Sequence, residues 1–230
     1  MSLLSRIVFP DLCPICVRRE RDDSGGFACT DCIQELTPLR TPRCLACGGH
    51  LDTVLESCSE CLSVRRPWGR AVSAFAFGGL PRQLVHRFKY QGNVALTHVL
   101  VAALVDAWTE HGDGDLDLVT AVPLHWRKAI RRGYNQSELL GRDLAKTLAL
   151  PYQRLLRRPQ ATRAQAGLDY RERQRNLRHA FAPARNIDCK GAHVLLLDDV
   201  FTTGATLDHC ARILKKAGAT AISVITVARG

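Results

Sequence analysis

The feature that most constrains how this chain can fold is an apolar run that ends in two adjacent aspartates. Residues 194–197 are all apolar, Asp198 and Asp199 follow directly, and residues 202–206 form a small, hydroxyl-rich segment. A continuous apolar run is typical of a strand that is buried on both faces of a parallel sheet. Apolar residues then recur at helical spacing from Leu207 onward. The sequence therefore predicts a strand, a turn and a helix in succession.

The two acids and the turn after them predict a site for a phosphorylated sugar. Backbone N–H groups and the helix dipole at a strand-to-helix turn attract anions. Ionised carboxylates at the end of an apolar strand are costly unless they have partners, and two of them can hold the vicinal hydroxyls of a ribose. The alternative is a plain turn whose threonines cap the helix. That alternative explains the threonines but gives Asp198 and Asp199 no role.

This segment resembles the PRPP (5-phosphoribosyl-1-pyrophosphate) loop of type I phosphoribosyltransferases. The pattern there is a hydrophobic run, two acids, two variable residues and then Thr-Thr-Gly-x-Thr, and the chain meets every defined position of it. The resemblance implies that Asp198 and Asp199 face the ribose hydroxyls and that either one is a candidate catalytic base. It also implies that the 5′-phosphate lies against the next residues, which are Thr202, Thr203, Gly204, Ala205 and Thr206.

Four Cys-x-x-Cys pairs near the start of the chain are the second strong motif. Intervals of 12, 11 and 10 residues separate the pairs, a repetition typical of closed, tetrahedral sites for two structural Zn²⁺ ions. Pairing consecutive motifs closes shorter loops than cross-bracing, so we expect the first four cysteines on one ion and the last four on the other. The eight candidate ligands are Cys13, Cys16, Cys29, Cys32, Cys44, Cys47, Cys58 and Cys61.

Disulfides and iron–sulfur binding are the alternatives to zinc for these cysteines. Disulfides need an oxidising compartment. Residues 1–12 lack the uninterrupted apolar core and the cleavage site of a signal peptide, and no apolar run in the chain approaches the length of a membrane span. We therefore expect a cytoplasmic protein with reduced, metal-binding cysteines.

The rest of the sequence predicts an α/β fold with a doubly wound, mostly parallel sheet, because strand and helix patterns alternate. We expect a small, zinc-ribbon-like module at residues 1–66 and a phosphoribosyltransferase-like domain at residues 67–230. The predicted strands cover residues 71–77, 116–122, 194–197 and 221–228, and the predicted helices cover residues 80–88, 93–108, 136–148 and 207–217.

The formal charge of +10 is concentrated in one part of the chain. Residues 127–178 carry 14 basic and 4 acidic residues, whereas residues 1–66 are close to neutral. A basic field of this kind attracts pyrophosphate, PRPP or nucleic acid. Arg127 and Arg131 follow a predicted strand end, where guanidinium groups suit the pyrophosphate arm of PRPP. The alternative is a solvent-exposed basic helix face.

A basic, apolar-poor segment from Arg157 to Phe181 predicts a loop that closes over the ligand. Phosphoribosyl transfer develops positive charge on the ribose carbon, and a closing loop keeps water away from it. Arg171 and Arg175 would complete this cover. The alternative is an ordinary exposed loop.

Taken together, these motifs resemble the ComF family of competence-associated bacterial proteins over essentially the whole chain. The resemblance implies a PRPP-binding protein that uses Mg²⁺ and in which Lys89, together with the basic residues, stabilises the departing pyrophosphate. It marks no acceptor and leaves the oligomeric state open. Besides the cysteine pairs and the PRPP loop, the shared segments are residues 88–90, 122–124, 132–136 and 165–181.

Three hypotheses about function follow from these features. The first is a phosphoribosyltransferase that transfers or hydrolyses the phosphoribosyl group of PRPP. The second is a competence factor that binds single-stranded DNA and uses PRPP only as a regulatory ligand. The third is an adaptor that docks through its zinc module. Few aromatic residues accompany the basic stretch, which weakens the second hypothesis, because single-strand binders stack bases on several rings.

Overall fold

A parallel sheet forms the centre of the molecule. The computed structural model describes residues 12–18, 28–36, 38–39, 41–52, 56–160, 177, 180–185 and 187–230, without the side chain of Arg131. The strands are β1 (Arg70–Ala76), β2 (Leu118–Ala121), β3 (Leu156–Arg157), β4 (Ala182–Pro183), β5 (His193–Phe201) and β6 (Ala221–Arg229). The order in the main sheet is β1-β6-β5-β2 and all neighbours are parallel, whereas β3 and β4 form a separate antiparallel pair. The predicted α/β sheet is therefore confirmed.

Helices cover both faces of this sheet. They are α1 (Thr30–Glu35), α2 (Ser59–Leu62), α3 (Gly79–Tyr90), α4 (Leu96–His111), α5 (Trp126–Arg132), α6 (Gln136–Thr147) and α7 (Ala205–Lys216). The α6 helix begins where the Asn135 side chain accepts a hydrogen bond from the Glu138 N–H. The α5 helix ends at Gly133, whose φ of 82° is left-handed. No helix in the described part of the chain is long and apolar enough to cross a bilayer.

The apolar run of β5 separates two hydrophobic cores. Leu195 and Leu197 pack into the core that contains α3, α4 and α6, whereas Val194 and Leu196 pack into the core that contains α7. Successive side chains on a strand point to opposite faces, so a strand between two cores must be apolar at every position. This is the physical reason for the unbroken apolar run.

The β5 strand is longer than the sequence predicts. It continues through Asp198 and Asp199 to Phe201, and β6 stays paired with it as far as Phe201. Its pairing with β2 ends at Leu197, which lies opposite Ala121. The two acids therefore follow the point at which the sheet loses one neighbouring strand.

The N-terminal cysteine motifs lie against both faces of the sheet. Cys13, Cys29 and Cys32 belong to the core on the α3 side, whereas Cys44, Cys47 and Cys61 belong to the core on the α7 side. Residues 38–39 and 41–45 lie along the outer edge of β1, where the Ala71 N–H donates to the Leu45 carbonyl at 2.7 Å and the Leu39 N–H donates to the Ala74 carbonyl at 3.2 Å. The segment thus covers a sheet edge that would otherwise be open to other chains.

The sulfur positions fit two tetrahedral metal sites. Cys13, Cys16, Cys29 and Cys32 form one group and Cys44, Cys47, Cys58 and Cys61 the other, and the sulfurs of each group lie within 4.8 Å of one another. The Cys16 and Cys29 sulfurs are 3.8 Å apart, and those of Cys47 and Cys58 are 3.9 Å apart. Four ligands at a Zn–S distance of about 2.3 Å lie ~3.8 Å from one another. The groups also agree with the predicted consecutive pairing.

We expect elemental analysis of the purified protein to find about two zinc ions per chain, because each group offers four thiolates. Chelation should loosen the cysteine motifs before the β5–β6 core, since metal-binding energy is folding energy in such sites. Hydrogen–deuterium exchange with and without a chelator would show the order. One zinc ion or none, or simultaneous loss of protection in β5 and β6, would contradict this prediction.

Candidate functional site

The predicted sugar-phosphate residues line one cavity of about 340 Å³ at the carboxyl ends of β2 and β5. We refer to it as the strand-end cavity. It lies between the last turn of α3, the first turn of α6 and the turn that begins α7, as ligand sites do in open α/β sheets. Its polar lining includes Lys89, Lys128, Arg132, Ser137, Arg158, Asp198, Asp199 and residues 202–206.

Asp198 is held in place by hydrogen bonds to one of its oxygens. Its Oδ1 accepts from the Ser137 hydroxyl at 3.0 Å and from the Asp199 N–H at 2.9 Å. Burial and the adjacent Asp199 carboxylate raise the pKa of Asp198 to about 7, although both hydrogen bonds and the Lys89 charge act in the opposite direction. Asp198 is therefore a carboxyl group that changes protonation near neutral pH.

Asp199 forms an ion pair with Lys89. The Lys89 Nζ lies 2.8 Å from Asp199 Oδ1, and the two side chains are only 20% and 17% exposed. Burial alone lowers the pKa of Lys89, but the carboxylates of Asp199 and Asp198 outweigh it, so the pKa of Lys89 is raised. Lys89 thus stays charged and lies beside the acid pair, and its role toward pyrophosphate stays a prediction.

Residues 132–136, where α5 ends and α6 begins, hold the backbone of the last turn of α3 in place. The Tyr134 hydroxyl donates to the Phe88 carbonyl, and the Gln136 side-chain amide donates to the Lys89 carbonyl at 3.3 Å. Arg132 in turn donates to the Gln136 Oε1 at 3.0 Å. These contacts fix the last turn of α3, which carries Lys89. The motif at residues 132–136 therefore has a structural role at this site.

The phosphate loop, residues 202–206, joins β5 to α7 through a left-handed glycine. Gly204 has a φ of 75°, and a Cβ atom there would lie 2.8 Å from Phe201 Cζ and 3.0 Å from Arg66 Nη1. Both the backbone conformation and the packing therefore require glycine. The first N–H groups of a helix have no partner within the helix, so the start of α7 gives the cavity wall an anion-binding character.

Of the basic residues predicted for the site, the structure brings Lys89 to the cavity, and three basic residues that were not predicted there line it as well. Lys128 and Arg132 line the cavity from one face of α5, and Arg158 joins them. Arg127 lies instead over the ring of Trp126, with its guanidinium carbon 5.2 Å from the ring centre. The side chain of Arg131, and all of Arg171 and Arg175, lie outside the described part of the chain, so their roles stay predictions.

Sequence reasoning missed three residues that shape the site. Ser137 carries no motif of its own, and its contact with Asp198 depends on where α6 meets β5. Arg158 was recognised only as part of a basic segment, although it lines the cavity. Arg66 contacts the phosphate loop from the end of the predicted zinc module, 137 residues away in sequence. Only long-range packing reveals such contacts.

Family models match both ends of the chain. A double zinc ribbon domain matches residues 4–62, and a phosphoribosyl transferase domain matches residues 137–230. The first contains all eight paired cysteines, and the second contains the acid pair and the phosphate loop. The chain therefore carries a phosphoribosyl transferase domain together with a zinc ribbon module.

Several relatives match most or nearly all of the chain. Competence protein F of Haemophilus influenzae is 32% identical over 208 residues, which cover 87% of this chain and 90% of the relative. DNA utilization protein YhgH of Salmonella typhi is 32% identical over 228 residues, which cover 97% of this chain and 99% of the relative. Likeness to solved structures is weaker: the allosteric regulatory enzyme of purine biosynthesis has a TM-score of 0.42 at 20% identity, covering 62% of this chain and 30% of that one. The full-length relatives therefore decide the assignment, and the chain belongs to the family of Competence protein F and YhgH.

Proposed function

We propose that this protein binds PRPP in the strand-end cavity and transfers or hydrolyses its phosphoribosyl group, with release of pyrophosphate. The observation that carries the proposal is the position of Asp198 and Asp199 directly beside the phosphate loop at the end of β5. One polar surface thus offers acceptors for two ribose hydroxyls and, next to them, donors for a 5′-phosphate.

The proposed chemistry depends on positioning and on charge. Asp198 and Asp199 orient the ribose, and residues 202–206 anchor its 5′-phosphate. Lys89, Lys128 and Arg132 stabilise the charge of the departing pyrophosphate from the cavity wall. Carboxylate oxygens suit Mg²⁺, and Mg²⁺ bound together with PRPP would neutralise part of the pyrophosphate charge. Holding the reacting groups in place lowers the barrier without a covalent nucleophile.

The same proposal includes assignments that follow from the sequence. Arg131 contributes to the pyrophosphate side, and Arg171 and Arg175 complete a cover over the ligand. Residues 1–66 act as a structural zinc module. We place the protein in the cytoplasm, because eight thiolate ligands need a reducing compartment.

Calorimetric titration with PRPP and Mg²⁺ tests this proposal directly. Binding should be followed by a screen of nucleobases and amines for pyrophosphate release. Release without an acceptor demonstrates hydrolysis alone, whereas release that depends on one acceptor demonstrates transfer. If the zinc-loaded protein binds no PRPP, the proposal is wrong.

A second candidate function, binding of single-stranded DNA, is favoured by the surface next to the cavity. Trp126 is 56% exposed and Ile130 is 73% exposed on α5. The Arg127 guanidinium covers the Trp126 ring, and bases stack on such platforms. The relatives named for competence and DNA utilization agree with this candidate.

Asp199→Asn is expected to abolish pyrophosphate release, lowering the rate by at least about a hundredfold, because it replaces one carboxylate oxygen by an amide donor and removes the counter-ion of Lys89. The measurement is a coupled pyrophosphate assay. Asp106→Asn is a matched control, since Asp106 is exposed on α4. Unchanged release in the Asp199→Asn protein would refute the assigned role.

The affinity for PRPP is expected to rise as the pH increases from about 6 to about 8, because Asp198, with its pKa raised to about 7, must be ionised to accept from a ribose hydroxyl. Below this range the protonated carboxyl loses acceptor capacity. PRPP titrates as well, so the informative quantity is the difference from Asp198→Asn, which should show a smaller pH dependence. Identical pH profiles would contradict the prediction.

The second candidate function predicts that binding of single-stranded DNA weakens steeply as the salt concentration rises. Trp126→Ala should then cost about 1–3 kcal/mol of DNA-binding free energy, and Trp126→Phe should retain most of it. PRPP binding should be the same in both variants, because Trp126 does not line the strand-end cavity. Fluorescence anisotropy with a labelled oligonucleotide separates the outcomes, and an unchanged affinity of Trp126→Ala would exclude this surface.

A further inference from the structure

We propose that Arg66 is a positioning residue that holds the phosphate loop in its binding conformation and connects it to the second cysteine group, Cys44, Cys47, Cys58 and Cys61. The inference rests on the proposed function in one respect, namely that residues 202–206 bind the 5′-phosphate. Arg66 itself does not line the strand-end cavity. It therefore acts through the loop and not through the ligand.

The Arg66 guanidinium contacts two residues of the phosphate loop. Its Nη2 donates to the Thr203 carbonyl at 3.1 Å. Its Nη1 lies only 3.0 Å from the place that a Cβ atom of residue 204 would occupy, so the guanidinium packs directly against Gly204. The Thr203 carbonyl and the Gly204 N–H belong to one planar peptide unit. The hydrogen bond from Arg66 to this carbonyl therefore restricts the orientation of that loop N–H as well.

Aromatic rings hold the Arg66 guanidinium in this position. Its central carbon lies 5.4 Å from the centre of the Trp68 ring and 5.8 Å from that of Phe201. Phe201 is the residue that directly precedes the loop, and it is 1% exposed. The Arg229 guanidinium also lies over the Phe201 ring, at 5.0 Å. A planar guanidinium combines stacking with directed donation, which an ammonium group does not.

Trp68 connects this arrangement to the second cysteine group. Its Nε1 donates to the carbonyl of Ala46 at 2.8 Å, and Ala46 lies between two ligands of the group, Cys44 and Cys47. The Trp68 and Phe201 rings meet edge to face, with centroids 6.1 Å apart. A continuous set of contacts therefore runs from the cysteine turn through Trp68 and Arg66 to the phosphate loop.

The first test compares PRPP with two smaller ligands, ribose 5-phosphate and pyrophosphate, each of which contains a different part of PRPP. Arg66→Ala should weaken PRPP and ribose 5-phosphate about tenfold in the presence of Mg²⁺, because both need the loop. Pyrophosphate should bind within about twofold of the wild-type affinity, because its proposed contacts are Lys89, Lys128 and Arg132. Arg65→Ala is the matched control, since Arg65 is an exposed neighbour. Equal losses for all three ligands, or no loss for any, would overturn the proposal.

The conservative variant distinguishes geometry from charge. Arg66→Lys keeps the positive charge but lacks the planar donor pair. It should recover only part of the affinity for ribose 5-phosphate. Full recovery would mean that charge alone is responsible, and it would overturn the argument from the Thr203 hydrogen bond.

Hydrogen–deuterium exchange of the ligand-free, zinc-loaded protein tests the positioning role without PRPP. Arg66→Ala should speed exchange in residues 201–206 while zinc content and melting temperature stay close to wild type. This result would hold even if the wild-type protein bound no PRPP, in which case the ligand assignment fails and the positioning role stands. Unchanged exchange in these residues would overturn the role itself.

A second variant tests the connection to the cysteine group. Trp68→Phe keeps a ring beside Arg66 but removes the hydrogen bond to Ala46. Exchange should then rise in the phosphate loop as well as in residues 44–47. A change restricted to residues 44–47 would overturn the connection.

Discussion

The site depends on one costly arrangement, two adjacent carboxylates at the end of a buried strand. Asp198 and Asp199 follow four apolar residues of β5 and remain in the strand, where charge is expensive unless it is compensated. The compensation comes from separate elements. Ser137 on α6 donates to Asp198, and Lys89 on α3 pairs with Asp199. The elements around the cavity therefore supply the hydrogen bond and the ion pair that compensate these two carboxylates, and their polar side chains line the cavity.

The cysteine groups support this pocket from opposite faces of the sheet. Arg87, two residues before Lys89 on α3, donates to the carbonyls of Ile15 and Pro14, which lie within the first cysteine group's opening turn. The second group reaches the phosphate loop through Trp68. Each metal-binding group is thus connected to a different half of the cavity. The zinc module covers the edge of β1 and so stabilises a small parallel sheet at a strand that would otherwise have an unpaired edge.

The sequence predicts those parts of the structure that are encoded by neighbouring residues. The β5 strand, the phosphate loop and α7 are adjacent in the chain, and two-residue spacing defines each cysteine pair, so local patterns were sufficient. From the sequence, α5 is expected only as the alternative of a solvent-exposed basic helix face, because four of its seven residues are basic and three apolar residues are too few to mark a helix. The face of α5 that lines the cavity could therefore not be predicted. Arg127 was expected at the site, although Lys128 and Arg132 share the face that lines the cavity. Arg66 and Ser137 act across long sequence separations, which a single sequence does not reveal.

The ion pair of Lys89 and Asp199 also bears on which ligand the cavity prefers. In the ligand-free protein each group is satisfied by the other at 2.8 Å, so a ligand that offers only a phosphate leaves Asp199 without a donor. A ligand that offers only hydroxyls leaves Lys89 without an acceptor. Unsatisfied charge in a partly buried site is costly. A molecule that carries hydroxyls and an anionic arm on neighbouring carbons satisfies both groups together, and a ribose with a pyrophosphate at its first carbon has this arrangement.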